Sequence, residues 1–332
     1  MRLNPYFNED FFGFFWVLAQ RLWGFIIGDA TVTHLVADEI QMLVLIGVSF
    51  SCALVGTFLV LRRMTMLANA LSHTILLGIV LAFLMTHGLG HEEGEHSLSH
   101  LNLLWMLVAA ALMGVITTVL TQLLTDIIGL QEDASIGLVF TSLFALGIVL
   151  VTLFTRNAHI GTEIIMGNVD GLHQRDLHLI FYILFMNSAL IFLFFKEYTI
   201  TTFDPQLART LGISALIFNY LLMLQTSITS IGSFRAVGVI MVLAFITAPP
   251  LTARLLSHHL RTILAMSGAI GAASSILAVG LARHMLTVYS LPISTGGIVV
   301  CLMTLFFISA LLFAPRQGII AQWLLRRRLQ TR

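Results

Sequence analysis

Residues 40–63 read IQMLVLIGVSFSCALVGTFLVLRR. From Ile40 to Leu61 no side chain is charged, and the run has the length a helix needs to cross a bilayer core, about 17 to 25 residues. It closes on Arg62 and Arg63. Cytoplasmic loops retain Lys and Arg, so this stretch reads as a transmembrane helix that ends inside the cell.

The same pattern recurs along the chain. Of 332 residues, 58% are hydrophobic and 10% charged, with a mean hydropathy of +0.96. A soluble domain carries about 25% charged residues, so this is a polytopic membrane protein, an all-α bundle. Spans are predicted near residues 40–61, 71–86, 103–124, 136–154, 177–195, 214–231, 237–256, 262–282 and 298–314. The apolar stretch 11–28, FFGFFWVLAQRLWGFIIG, contains Gln20 and Arg21. It is read as a tenth span, with an interfacial helix as the alternative. Pro249 and Pro250 are expected to end the span that begins near Val237, since proline cannot continue the helical ladder. No repeat or linker divides residues 1–332, which form one integral domain. The last stretch, 319–332, closes with a basic cytoplasmic tail, WLLRRRLQTR, suited to the membrane surface.

Alternating the spans from Arg62 places eleven Lys and Arg inside and four outside, namely Arg156, Arg175, Arg235 and Arg283. The net charge of +1 carries no signal for nucleic acid, and no such partner is expected. Cys52 and Cys301 fall within apolar runs and imply no disulfide framework. The N-terminal MRLNPYFNEDFF is acidic where a signal peptide is basic, so no cleaved signal is expected.

One cytoplasmic loop departs from the apolar pattern. In 203–212, FDPQLARTLG, Asp204 suits a helix N-cap, Pro205 the first helical position and Gly212 the residue past the end. Phe203, Asp204, Pro205, Ala208 and Gly212 thus frame a two-turn helix with its own start and stop. It is either a rigid knob that seats in a partner or a well-capped solvated turn. The only lysine is Lys196, and no G-x-x-x-x-G-K-[ST] loop is present. ATP-driven transport would therefore need a separate ATPase on the cytoplasmic face, and no cofactor is expected on this chain.

Five stretches together resemble the permease subunits of metal-ion ABC importers, the ABC-3 family, over about residues 40–318. They are GTFLVLRRMTMLANALSHTILLGIVLAFL (56–84), LQEDASIGLVFTSLFALGIVL (130–150), FDPQLARTLGI (203–213), SFRAVGVIMVLAFITAPPLTARLL (233–256) and LPISTGGIVVCLMTLFFISALLFAPRQG (291–318). The resemblance implies a vitamin-B12-permease-like fold in a bacterial inner membrane. It also implies a second permease, a cytoplasmic ABC ATPase seated on the helix at 203–212, and an extracytoplasmic metal-binding lipoprotein. The cargo would be manganese, zinc or iron. A permease for a metal chelate or cobalamin is the alternative. A secondary metal carrier would show ionisable pairs in several spans, where acids here are nearly absent. An intramembrane enzyme would need a convergent motif such as H-E-x-x-H, and none appears.

His73 lies in LANALSHTILLG, and an ionisable residue at membrane depth faces a partner, a cavity or a pathway. Asn69 is four residues earlier, on the same helical face. Imidazole plus an oxygen donor suits transient contact with a transition metal; a histidine hydrogen-bonded to a neighbouring helix is the alternative. The matching family motif, G-D-A-L-S-H, implies a place on the translocation path. Asn69 stands where that motif has aspartate, so this subunit either binds metal more weakly or relies on a non-identical second permease for the carboxylate.

The outer loop HGLGHEEGEHSLSH holds His87, His91, His96 and His100 with Glu92, Glu93 and Glu95, a donor set suited to zinc-like ions or simply a solvated loop. Glu132 and Asp133 precede an apolar span, where capping and the helix dipole account for them; the family's matching pair adds a role near the inner mouth. The four outer arginines are candidates for pairing with acids on a binding protein.

Overall fold

The computed structural model describes residues 5–6, 9–27, 35–66, 69–70, 73–74, 77–78, 80–81, 103–154, 169–314 and 318–320. Among them there is no strand. The helices are α1 (Phe11–Ile27), α2 (Ala37–Leu61), α3 (Leu103–Ile128), α4 (Glu132–Phe154), α5 (Gln174–Leu193), α6 (Phe195–Phe203), α7 (Pro205–Thr210), α8 (Ala215–Val237), α9 (Val239–Leu256), α10 (Leu260–Tyr289) and α11 (Thr295–Phe313). A 3₁₀ turn covers Val169–Gly171. Between α2 and α3, the described residues from 65 to 81 are helical. Among the described residues seven helices are long and apolar enough to span: α2, α4, α5, α8, α9, α10 and α11. Eight of the predicted spans fall on these and on α3; of the span predicted at 71–86, the described residues 73–74, 77–78 and 80–81 are helical, and the rest lies outside the described residues.

α2 is the central helix, packed against α10, α9, α5 and α8. Val44, Leu45, Val48, Cys52, Val55, Phe58 and Leu59 on it are fully buried. Several threonine hydroxyls inside the bundle are satisfied within their own helix, as a low-dielectric interior favours. Thr57 donates to the Ala53 carbonyl at 2.7 Å, Thr226 to Leu222 at 2.7 Å and Thr117 to Met113 at 2.7 Å. Asn187 of α5 donates to Ser51 of α2 at 2.7 Å and to Thr229 of α8 at 2.6 Å. That side chain ties three helices, the use to which membrane bundles put polar residues.

The N-terminal end of α2 is held by charge. Asp38 accepts from Arg283 of α10 at 3.0 Å. Glu39 accepts from Tyr6 at 2.8 Å, from Arg21 of α1 and from the Val36 amide at 3.0 Å. Gln41 donates to Asp170 at 2.9 Å, and Thr295 at the start of α11 donates to the same carboxylate at 2.7 Å. Arg283 thus serves an intramolecular pair, which accounts for it without a binding protein.

α1 is not one of the seven. The Phe11 amide donates to His284 Nδ1 at 3.2 Å, while Tyr6 and Arg21, on either side of most of α1, both reach Glu39. Phe11 meets His284 and Phe15 lies against Gly280, so α1 packs along the last turns of α10. Phe12, Trp16, Trp23 and Ile27 are its exposed stripe.

Pro249 and Pro250 do not end their span. α9 runs through both to Leu256. Proline removes the amides that would bond the carbonyls of Phe245 and Ile246, yet a buried helix retains its course where neighbours pack against the freed groups. Gly56 of α2 stands there: a Cβ at that position would lie 2.2 Å from the Ile246 carbonyl oxygen.

Candidate functional site

His73 sits on the 65–81 segment, wedged between α3 and α4. Gly147 of α4 meets the backbone of Leu77, and Gly78 meets Met113 and the Ala109 carbonyl of α3. The Thr117 and Thr74 hydroxyls lie 3.3 Å apart. These small-residue contacts fix the segment's rotation and aim His73 at α4. Its ring lies 5.2 Å from Phe140 and 5.2 Å from Phe144, tilted by 41° and 64°. The two phenylalanines are one helical turn apart, and phenyl faces carry negative quadrupole density that favours a passing cation. Asn69, one turn before His73, is exposed. Their i, i+4 spacing was legible; the aromatic pair was not, because F-T-S-L-F at helical spacing looks like ordinary core.

Among the described residues no three His, Cys, Asp or Glu side chains come together as a metal cage. The outer-loop residues His87, His91, His96, His100, Glu92, Glu93 and Glu95 lie outside the described residues. Glu132 and Asp133 are the first two residues of α4. Asp133 is exposed, in the place where the helix dipole favours an acid.

At the other end of α2 the chain builds a compact elbow. α5 ends at Phe194, and α6 follows directly, packed against α8, α7 and α2. Its Tyr198 is fully buried, with ring centroids 5.2 Å from Phe58 of α2 and 5.4 Å from Phe218 of α8. The Tyr198 hydroxyl donates to Gln225 at 2.6 Å, and burial pushes its pKa up. Arg261 at the start of α10 sits 5.6 Å from the Phe195 ring centre, a cation–π contact. Lysine and arginine residues that charge counting placed on the cytoplasmic side therefore converge at one end of the molecule.

α7 follows. Asp204 accepts from the amides of Gln206 at 3.1 Å and Leu207 at 2.9 Å, with Pro205 at the first position. Gly212, at φ 77°, ends it in the left-handed conformation that glycine adopts without strain. The Ile213 amide closes the end on the Ala208 carbonyl at 2.8 Å. Ala208 is fully buried, while Phe203, Leu207 and Leu211 are exposed. A helix of six residues that keeps Ala208 inward and presents Leu207 outward, with Phe203 and Leu211 exposed just beyond its two ends, has the form of a knob.

Sequence reading treated Arg62 only as a topology marker. Its guanidinium donates to Thr202 at 3.0 Å and Thr201 at 2.8 Å, both on α6, and to Asn219 on α8. Burial pulls its pKa down to about 10.

Residues 39–314 match the ABC 3 transport family. The chain is 37% identical over 309 residues to a Chlamydia muridarum protein named "Probable metal transport system membrane protein", covering 93% of this chain and 94% of that one. It is 38% identical over 292 residues to a manganese transport system membrane protein of Bacillus subtilis, covering 84% and 92%. In structure it is similar to PsaBC from Streptococcus pneumoniae solved with a Fab, at a TM-score of 0.70 and 23% identity over 90% of this chain and 97% of that one, a likeness of fold. A multi-pass helical bundle with these matches along most of its length belongs to the ABC 3 transport family.

Proposed function

We propose that this chain is the membrane-spanning permease of an ATP-binding-cassette importer that moves a divalent transition-metal ion, manganese, zinc or iron, into the cytoplasm. The observation that carries the reading is α7. It is a helix capped at both ends at the inner face, with Ala208 inward, Leu207 outward and Phe203 and Leu211 exposed on either side of it, in a sequence without a phosphate-binding loop. The knob suits a groove on a separate cytoplasmic ATPase. The names of the relatives from Chlamydia muridarum and Bacillus subtilis support a metal cargo.

Within this reading Asn69 and His73 line the ion path. One imidazole and one amide are too few ligands to hold a metal firmly, and conduction needs binding weak enough to release. A second permease, identical or not, would bring further ligands to the same axis. The outer-loop histidines and glutamates would gather ions delivered by an extracytoplasmic binding lipoprotein.

The test is reconstitution of the permease with its ATPase and binding protein in liposomes, followed by manganese(II) uptake. Uptake that requires ATP supports the reading. ATP-independent uptake, or uptake of a chelate with no uptake of the free ion, contradicts it.

A further inference from the structure

The turn that joins α2 to the His73 segment lies beside the elbow that leads into α7, and one side chain binds both. Arg62 caps α2; its amide bonds Phe58 at 3.0 Å, the Arg63 amide bonds Val60 at 3.2 Å and the Met64 amide bonds Leu59 at 2.9 Å. Arg63 takes φ 62°, so the chain reverses sharply before the segment that carries His73. The Arg62 guanidinium then spans α6 and α8, the two helices that flank α7. Thr201 and Thr202 lie just before Asp204, and Asn219 lies at the start of α8.

The polarity of these bonds is fixed. The Thr201 hydroxyl donates to the Glu197 carbonyl at 2.8 Å and Thr202 to Tyr198 at 2.6 Å, so each hydroxyl turns a lone pair toward Arg62. Among the described residues no carboxylate pairs with Arg62. Its charge is held by neutral acceptors on both flanks of one small helix, where a rigid planar fork aims separate N–H groups at separated partners and an ammonium offers its three donors from a single point.

We propose that Arg62 is a positioning residue that couples movement of α7 to α2 and to the His73 segment. The proposal rests on α7 being the ATPase-docking helix. Displacement of α7 carries α6 and α8 with it. Arg62 bonds both, and its own backbone forms the turn into the ion-path segment. The guanidinium thus converts a shift at the inner face into a rotation at His73.

The experiment compares wild type, Arg62→Gln, Arg62→Lys and Thr201→Val/Thr202→Val in the liposome-reconstituted transporter, reading ATP hydrolysis and manganese(II) uptake in the same preparation. Arg62→Gln is expected to keep hydrolysis within about twofold and lose uptake by about tenfold, the scale of one charge-assisted hydrogen bond. The double valine variant should follow it, and Arg62→Lys should fall between. Unchanged uptake per ATP in Arg62→Gln overturns the proposal. So does a parallel fall of hydrolysis, uptake and thermal stability, which a merely structural staple would give. Ala208→Trp, assayed for ATPase binding, separates the two readings: if it binds the ATPase normally, the docking reading fails and the coupling role falls with it. If binding is lost, the Arg62 variants decide.

Discussion

Gly56 of α2 faces the backbone carbonyl of Ile246 on α9 with no room for a side chain between them; a Cβ at Gly56 would lie 2.2 Å from that oxygen. Ile246 is four residues before Pro250, so its carbonyl lacks the amide that would have bonded it along the helix. The central helix and the proline-bearing helix are therefore fitted to one another at this point. Gly56→Ala should destabilise the purified permease by about 1–3 kcal/mol, the cost of overpacking. Gly137→Ala on α4, where nothing lies within 4 Å, should be neutral or slightly stabilising, as alanine favours a helix. Thermal unfolding in detergent reads both, and equal behaviour of the two variants would refute the close fit.

Arg21→Ala should loosen α1. Arg21 and Tyr6 share the Glu39 carboxylate, and loss of a hydrogen-bonded charged partner from this part-buried pair costs about 1–3 kcal/mol. Limited proteolysis should cut the N-terminal region faster in this variant, with the rest of the bundle intact. Wild-type protection would mean that α1 is held by its apolar contacts alone.

Asp204→Ala removes the acceptor for two amides of α7. Loss of a cap costs about 0.5–2 kcal/mol, a large fraction of what holds six residues helical. Reconstituted transporter carrying it should hydrolyse ATP with reduced metal uptake per ATP. Uptake per ATP equal to wild type would remove the coupling role from α7.

The extent to which the structure was legible follows from the range of the forces involved. Span length and the charged ends are local signals, so the crossings were readable to within a few residues. α10 runs to Tyr289, beyond the predicted 282, because Arg283 finds Asp38 and His284 finds the Phe11 amide; partners hundreds of residues away leave no trace in a hydropathy pattern. α7 was readable because its caps are its own neighbours. Arg62 was not, since its neutral acceptors lie about 140 residues and more downstream. The proline expectation failed for the same reason: what tolerates Pro250 is a glycine on another helix. His73 and Asn69 were visible as polar residues in an apolar run, but only the fold brings Phe140 and Phe144 to the imidazole.

The central claim is that a metal ion passes along the face that presents His73. It is tested most directly by manganese(II) uptake into liposomes containing the permease, its ATPase and its binding protein, with wild type and His73→Ala compared at equal reconstitution. The account predicts that His73→Ala binds the ATPase normally and loses uptake by about tenfold or more, the scale of one strong ligand contact. Wild-type uptake by His73→Ala, with the complex assembled, would contradict it.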